Sequence, residues 1–325
     1  MRALGATLAV LAILAPRGIP AAPADPEVAL VVNSLDDDVL FVNTRTYQPI
    51  KRVPVGKEPH HLATTPDGRF LIVANAMSND LVFVDVESGE VALRLTRISD
   101  PYQIGFSPDG RWFVAASLRL VRVDVYRHSA GQLDLAARLA VGRMPSHVAF
   151  ASDSRTAFVT LQGSNSLVSI DLPTQKARWT VATGPMPAGV WVTPGDRHVL
   201  VGITGADYVE AREPGSGKLV ARIKTGKGAH NFLPMGDGRR VLLSNRVSDT
   251  ISIIDQVDLR VVDTLSVPGG PDCMDLRRDG RELWVTSRWI DQVSVVDLGT
   301  KRVVQTIKVG RSPHGIFLAA HAPRR

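Results

Sequence analysis

The chain has 325 residues, of which 44% are hydrophobic and 22% are charged, and its formal net charge is +6. This balance excludes a largely disordered chain and allows a sizeable buried core. Lysine and arginine are scattered and do not form runs, so the charge does not favour nucleic acid as a partner. Cys273 is the single cysteine, which excludes an internal disulfide.

The first two dozen residues have the pattern of a secretory signal peptide. Arg2 precedes an apolar run from Leu4 to Leu14, and Ala22-Pro23-Ala24 supplies small residues at the spacing of a cleavage site. A run of about eleven residues is shorter than the roughly twenty that a membrane-spanning helix requires. We therefore predict that residues 1–24 are a signal peptide, that no transmembrane segment remains after cleavage, and that the mature protein is periplasmic or secreted.

A unit of roughly 42 residues is repeated along the rest of the chain. Complete units contain four short segments rich in Val, Leu and Ile, separated by Gly, Pro, Asn or Asp, and this pattern predicts four β-strands per unit. Tandem four-stranded units of this period are typical of a β-propeller, in which each unit forms one blade. The first residues of the successive units are Pro59, Pro101, Pro145, Pro187, Ala229, Pro271 and Pro313.

The two ends of the repeat region complement each other. Residues 29–56 have the patterns of a second, third and fourth strand, whereas residues 313–318 have the pattern of a first strand and nothing after it. We predict an all-β fold, a seven-bladed β-propeller of four-stranded antiparallel blades whose first blade is completed by the C-terminal strand. Residues 25–322 then form one domain, and residues 323–325 form a C-terminal tail.

Some recurring residues have an evident structural purpose. The Asp67-Gly68 turn recurs in later units, and an aspartate follows the third strand in several units, where its side chain can bond the backbone of the next turn. The fifth unit departs from the pattern, because Tyr208, Glu210 and Arg212 replace apolar residues of the third strand. We expect a neighbouring element or a partner to contact that edge. The aspartates of the recurring column are Asp85, Asp171, Asp255 and Asp297.

Two stretches of the chain carry a family resemblance. They are PHHLATTPDGRFLIVANAMSNDLVFVDVESGEV and AHNFLPMGDGRRVLLSNRVSDTISIIDQVDLRVV. They resemble the YVTN-type β-propeller repeat family of bacteria and archaea, which is related to the haem-binding propeller of cytochrome d1 nitrite reductases. The resemblance extends over essentially all of residues 29–319 and implies an exported recognition protein more often than an enzyme. Since one fold serves many functions, the ligand has to be argued from individual residues.

Histidines gather just after the residue that begins each unit, where the loop entering the first strand lies at the mouth of the central channel. Imidazoles, a thiol and a carboxylate from neighbouring blades could bind zinc or copper, or supply an axial ligand to a haem. The pattern equally allows these side chains to bond a neighbouring blade or to line a pocket for an organic ligand. The predicted metal ligands are His60, His230, Cys273 and His314, with Asp272 beside them.

Two arginines and a tryptophan follow the second strands of the last two blades. Arg246 and Arg288 occupy equivalent positions, where paired guanidiniums would suit a carboxylate or phosphate. The alternative is that each arginine pairs within its own loop, with Asp249 or Asp291. Trp289 is either an exposed platform or part of the blade packing. The predicted ligand-binding residues are His60, His61, His147, His230, His314, Arg246, Arg288 and Trp289.

These residues predict binding more readily than catalysis. We expect a monomeric, exported, non-enzymatic propeller that holds a small anionic ligand, a metal or haem-type cofactor, or a periplasmic protein partner at the channel face. The alternative is a lactonase-like hydrolase or lyase that uses a channel histidine as general base. No residue is predicted to be catalytic, because no nucleophile motif is present.

Overall fold

The computed structural model describes residues 27–323, and the predicted signal peptide lies outside them. These residues form 28 strands in seven four-stranded antiparallel sheets, which confirms the seven-bladed all-β propeller. The short 3-10 turns among them are Gln162–Ser164, Pro194–Asp196 and Arg288–Ile290. Among the described residues, no helix has the length and apolarity needed to span a membrane.

Each blade runs from an inner strand at the channel to an outer strand at the rim. Blade 1 contains Pro313–Leu318 (β28), Val28–Asn33 (β1), Asp38–Asn43 (β2) and Pro49–Pro54 (β3). Blade 2 contains Pro59–Thr64 (β4), Phe70–Asn75 (β5), Asp80–Asp85 (β6) and Val91–Thr96 (β7). Blade 3 contains Pro101–Phe106 (β8), Trp112–Ser117 (β9), Arg122–Ser129 (β10) and Gln132–Ala140 (β11). Blade 4 contains Pro145–Phe150 (β12), Thr156–Leu161 (β13), Ser166–Asp171 (β14) and Lys176–Ala182 (β15); blade 5 contains Pro187–Val192 (β16), Val199–Ile203 (β17), Tyr208–Arg212 (β18) and Leu219–Lys224 (β19). Blade 6 contains Ala229–Pro234 (β20), Arg240–Asn245 (β21), Thr250–Asp255 (β22) and Arg260–Ser266 (β23); blade 7 contains Pro271–Leu276 (β24), Glu282–Ser287 (β25), Gln292–Asp297 (β26) and Arg302–Lys308 (β27).

The C-terminal strand closes the ring, as predicted. β28 pairs antiparallel with β1, with Leu30 opposite Phe317 and Val31 opposite Ile316. The side chains of β28 are buried, and those of Ile316 and Leu318 pack in one core with residues of blades 1 and 7. Each buried apolar side chain of this size contributes about 1.5–3 kcal/mol, so this strand supplies a large part of the stability of a single domain.

Successive blades share apolar cores, because the middle strands are covered on both faces. Leu30 and Val32 of blade 1, for example, lie in one buried cluster with Leu71 and Val73 of blade 2. Strands covered on both faces read as continuous apolar runs, which explains sequences such as FLIVAN and LVFVDV. This packing fixes the inner strands and therefore the polar side chains that they carry into the channel.

The recurring aspartates form turns, which confirms their structural interpretation. The Asp85 carboxylate accepts hydrogen bonds from the backbone N–H groups of Glu87 (3.1 Å) and Ser88 (2.9 Å). Asp67 accepts one from the N–H of Arg69 at 3.1 Å, beside Gly68, whose φ of 72° suits glycine. These carboxylates therefore stabilise the local turns of each blade.

In blade 5 a neighbouring element contacts the third strand, which is the first of the two expectations. Its third strand is present as β18, and its polar residues face the interior of the protein and not a partner. Arg212 donates to Glu210 at 2.6 Å and to the backbone carbonyls of Ala182 and Gly217, each at 2.7 Å. Both Glu210 and Arg212 are buried, so the pair is an internal polar link between blades 4 and 5.

Candidate functional site in the central channel

A β-bulge at the start of the inner strands presents side chains to the channel. In blade 2, Pro59 pairs with Asn75 but Leu62 pairs with Val73, so two residues of β4 interrupt the regular register. The interrupting residues are His60 and His61, and the same shift recurs in the other inner strands. A bulge suspends the usual alternation of faces, so consecutive side chains can point to the same side. The histidines thus belong to the inner strands and not to the entry loops.

Five of the predicted site residues meet as one cluster of imidazoles. His314 lies at its centre, with ring centroids 3.8 Å from His60 and 4.5 Å from His61. The cluster continues from His61 to His147 (5.2 Å) and from His147 to His230 (5.0 Å). These residues come from blades 1, 2, 4 and 6, so the contact spans the channel.

The imidazoles of this cluster are buried and electrically neutral. All five side chains are at most 5% exposed. Burial lowers the pKa of His61 to about 3 and holds the pKa of His60, His147 and His314 well below the ordinary value. The atoms His60 Nδ1, His61 Nε2 and His147 Nε2 have no hydrogen-bond partner among the described residues. Neutral imidazole nitrogens with free lone pairs are the form that binds metal ions.

Asp272 is the charged centre of the same channel. Its carboxylate is fully buried and lies 3.0 Å from an Arg246 nitrogen, 3.5 Å from an Arg288 nitrogen and 3.1 Å from His230 Nδ1. Burial alone would raise the pKa of Asp272, but its imidazole and guanidinium neighbours hold that pKa well below the usual range. With two guanidiniums around one carboxylate, the channel has a local charge near +1.

The arginine pairing differs from both sequence-based interpretations. Arg246 and Arg288 converge as predicted, but on Asp272 and not on a free anion site. Neither carboxylate within their own loops is their partner, because Asp249 accepts from the N–H of Gly270 (2.8 Å) and Asp291 accepts from that of Ser312 (2.9 Å). The guanidiniums are therefore committed to an internal carboxylate.

Cys273 and His314 lie side by side next to Asp272. The Cys273 sulfur is 3.6 Å from His314 Nδ1, and the Asn231 amide donates to the same sulfur at 3.3 Å. His314 Nδ1 is also 3.0 Å from the carbonyl oxygen of His60, to which it can donate. Its other ring nitrogen, Nε2, lies 3.4 Å from the Asp272 carboxylate. Burial raises the pKa of the thiol well above its usual value, so Cys273 is protonated.

Trp289 lies apart from this cluster, on the rim of the mouth. It belongs to the 3-10 turn between β25 and β26, is 57% exposed, and covers Gly270, where an added Cβ would meet the indole. It is therefore a surface residue of the channel face and not part of the buried cluster.

Two groups in the channel have the spacing of metal ligands. One consists of His60, His61 and His314, and the other of Asp272, Cys273 and His314; within each group the ligand atoms lie within 4.8 Å of one another. Of the four predicted metal ligands, His60, Cys273 and His314 fall in these groups, whereas His230 faces Asp272. The first group has the clearer donor set, because three of its nitrogens have no hydrogen-bond partner among the described residues and none is shared with an arginine.

Sequence reasoning underestimated three residues of the channel. The ring centroid of Tyr102 lies 4.2 Å from that of His60. Asp272 is the carboxylate that the two arginines face, and the Asn231 amide donates a hydrogen bond to it at 3.2 Å. All three occupy the same two positions after the first residue of a unit as the histidines. That alignment could have identified them as channel residues, but it could not show which side chains of other blades they contact.

The neutral histidines predict acid sensitivity of the metal-free protein. Because the folded pKa of His61 is lowered to about 3, the unfolded chain takes up a proton below pH 6.5 while the folded chain does not. Stability is therefore lost as pH falls from 6.5 towards 3, by about 2 kcal/mol at pH 5 for this residue alone. Urea unfolding at pH 7.5 and 5.0 should show a smaller loss for His61→Gln, and an equal loss in both proteins would contradict this assignment.

Comparisons with known proteins agree with this architecture. The sequence model of the YNCE-like beta-propeller family matches residues 3–324. No curated protein matches the sequence. Several solved structures share the fold at identities of 13–17%.

Three of these structures illustrate the range of the fold. The dihydro-heme d1 dehydrogenase NirN in complex with DHE is 17% identical, with a TM-score of 0.67 over 94% of this chain and 78% of that chain. A functionally unknown protein from Desulfotomaculum acetoxidans DSM 771 is 14% identical, with a TM-score of 0.78 over 92% and 100%. A protein from Bacteroides uniformis ATCC 8492, provisionally described as a 6-phosphogluconolactonase, is 17% identical, with a TM-score of 0.72 over 90% and 99%. At these identities the likeness shows the fold alone.

Proposed function

Because the chain belongs to the YNCE-like β-propeller family, we propose that it is an exported, non-enzymatic propeller that binds one late first-row transition-metal ion in its central channel. The observation that carries the proposal is the group formed by His60, His61 and His314, whose ligand atoms lie within 4.8 Å of one another. Three of their buried nitrogens, His60 Nδ1, His61 Nε2 and His314 Nε2, have no hydrogen-bond partner among the described residues, and buried polar atoms are costly unless a partner or a metal meets them. Imidazole is a preferred ligand of zinc and copper.

A bare ion fits this cluster better than a haem or an organic anion does. Imidazole centroids 3.8 to 5.3 Å apart are in ring contact, which leaves no room between them for a flat macrocycle. Small rotations of the rings would bring three nitrogens to the roughly 2.0–2.1 Å that a metal bond requires. An anion finds no free cationic group there, since Arg246 and Arg288 are held by Asp272.

Metal analysis of the purified mature protein tests this proposal. We expect one ion per chain after loading with Zn²⁺ or copper and desalting, and at least about 100-fold weaker binding in His60→Gln/His61→Gln. The matched control is His128→Gln, which changes a histidine of blade 3 that bonds the Gly110 carbonyl outside the cluster. If the double variant is folded by circular dichroism and binds the metal as tightly as the wild type, the channel site is rejected.

A second candidate function rests on the pair of His230 and Asp272. A general base needs an orienting carboxylate, and His230 Nδ1 lies 3.1 Å from that carboxylate. The neighbour provisionally described as a 6-phosphogluconolactonase favours a test with lactones. Hydrolysis of 6-phosphogluconolactone that is lost in His230→Gln would support a hydrolase, whereas hydrolysis at the rate of buffer would exclude this reaction. The complete burial of both side chains makes the metal site the better supported function.

A further inference from the structure

The charges around the imidazole cluster discriminate between possible ions. Among the described residues, the carboxylate that lies beside these imidazoles is that of Asp272, and it already faces Arg246 and Arg288. A dication would therefore enter a buried site whose local charge is already near +1 and which offers no free anionic ligand. A monocation meets half of that repulsion, and this difference is large where the effective dielectric constant is low.

The donor atoms of the channel are suited to a soft ion. Three imidazoles form a compact ligand group, and the sulfur of Cys273 lies 3.6 Å from His314. Nitrogen donors of histidine and sulfur donors favour copper, and sulfur donors select its monovalent state over hard or divalent ions. A site without a free carboxylate is poorly matched to magnesium, calcium or manganese.

Thioethers at the mouth provide an independent observation. The exposed methionines among residues 27–323 are Met77, Met144 and Met186, which are 62%, 39% and 47% exposed. Met77 lies in the loop between the second and third strands of its blade, whereas Met144 and Met186 lie in the loops that lead into inner strands. Backbone hydrogen bonds join such loops, as from the N–H of Gln162 to the carbonyl of Met144. All three thioethers therefore lie on the face of the propeller at which the inner strands begin.

We propose that the channel ion is monovalent copper, captured by the thioethers of the mouth and held by His60, His61 and His314 next to the Cys273 sulfur. This inference rests on the proposed function, since it specifies the ion of the same site. No change in the oxidation state of copper is part of it: the ion enters and remains as Cu(I).

Competition titrations separate the identity of the ion from the existence of the site. Under anaerobic conditions, Cu(I) is titrated against bicinchoninate, and Zn²⁺ is titrated against a chromophoric zinc chelator. We expect Cu(I) to bind at least about 100-fold more tightly than Zn²⁺. Zn²⁺ binding as tight as Cu(I) would overturn the inference and leave the metal site standing, whereas failure of both ions to bind would reject the site as well.

Two sets of variants test the physical reasons. Removing one positive charge with Arg288→Gln should strengthen Zn²⁺ binding about tenfold or more relative to Cu(I). The control is Arg311→Gln, which changes an exposed arginine of the same face that pairs with Asp36. It should leave the ratio of Zn²⁺ to Cu(I) affinity unchanged. An unchanged Zn²⁺-to-Cu(I) ratio in Arg288→Gln would refute the electrostatic argument.

The thioether step has its own control. A Met77→Leu/Met144→Leu/Met186→Leu variant keeps the apolar bulk of the mouth and removes only the sulfur atoms. We expect Cu(I) loading, followed by stopped-flow displacement of bicinchoninate, to slow at least about threefold while the equilibrium affinity stays unchanged. Loading at the wild-type rate would remove the methionines from the proposal.

Discussion

Deleting residues 313–325 should abolish the folded monomer. The deletion removes β28, whose buried Ile316, Phe317 and Leu318 together contribute several kcal/mol, an amount comparable to the whole stability of a typical domain. It also leaves β1 as an open edge that invites pairing with another chain. We expect loss of the cooperative thermal transition, or oligomers by size-exclusion chromatography with light scattering.

Smaller changes and a rescue make the test of ring closure specific. Phe317→Ala should destabilise the intact chain by about 3–5 kcal/mol, whereas Val304→Ala, at a residue 54% exposed on the outer strand of blade 7, should change stability by about 0.5 kcal/mol or less. A synthetic peptide of residues 311–325 should restore the transition of the deleted protein. A stable monomer with the wild-type melting temperature after the deletion would contradict closure by β28.

Asp272→Ala should be among the most destabilising single substitutions in the channel. It leaves Arg246 and Arg288 facing each other, and their side chains are only 17% and 21% exposed. Removing one partner of a buried charge network costs about 3 kcal/mol or more, because the remaining charges stay desolvated. Urea unfolding at pH 7.5 measures this loss directly.

The control and a compensating variant distinguish charge from packing. Asp263→Ala removes an aspartate of the outer strand of blade 6 that pairs with Lys301 in the turn before β27, and it should cost about 0.5 kcal/mol or less. Arg246→Gln added to Asp272→Ala should recover part of the lost stability, because it removes one of the uncompensated charges. If the double variant is no more stable than Asp272→Ala, the loss reflects packing and not charge.

Most of the fold could be predicted because it follows from local pattern. Alternating turn residues and apolar segments specify strands, and a period of about 42 residues with a first strand displaced to the C-terminus specifies a closed ring. The aspartates at Asp67 and Asp85 could be interpreted for the same reason, since their partners are within three residues. In blade 5 the sequence left a neighbouring element and a partner open, because no local pattern reveals that Arg212 bonds a carbonyl of the preceding blade, Ala182.

The candidate site could be predicted in position but not in chemistry. Aligning the units brought the histidines to one pair of positions, and the bulges of the inner strands explain why two consecutive residues there face the channel. The choice of Asp272 as the common partner of Arg246 and Arg288 depends on distances across blades, and the local alternatives Asp249 and Asp291 were equally consistent with the sequence.

The sequence by itself determined the ring, its closure and the positions that face the channel, because each depends on periodicity or on contacts between neighbours in the chain. Only the tertiary structure decided the electrical state of the channel. His60 and His314 are 254 residues apart, yet the carbonyl oxygen of the first lies 3.0 Å from Nδ1 of the second. Burial from several blades keeps the imidazoles neutral, and one carboxylate holds two distant guanidiniums, because solvation and charge are summed over all neighbours in space and not along the chain.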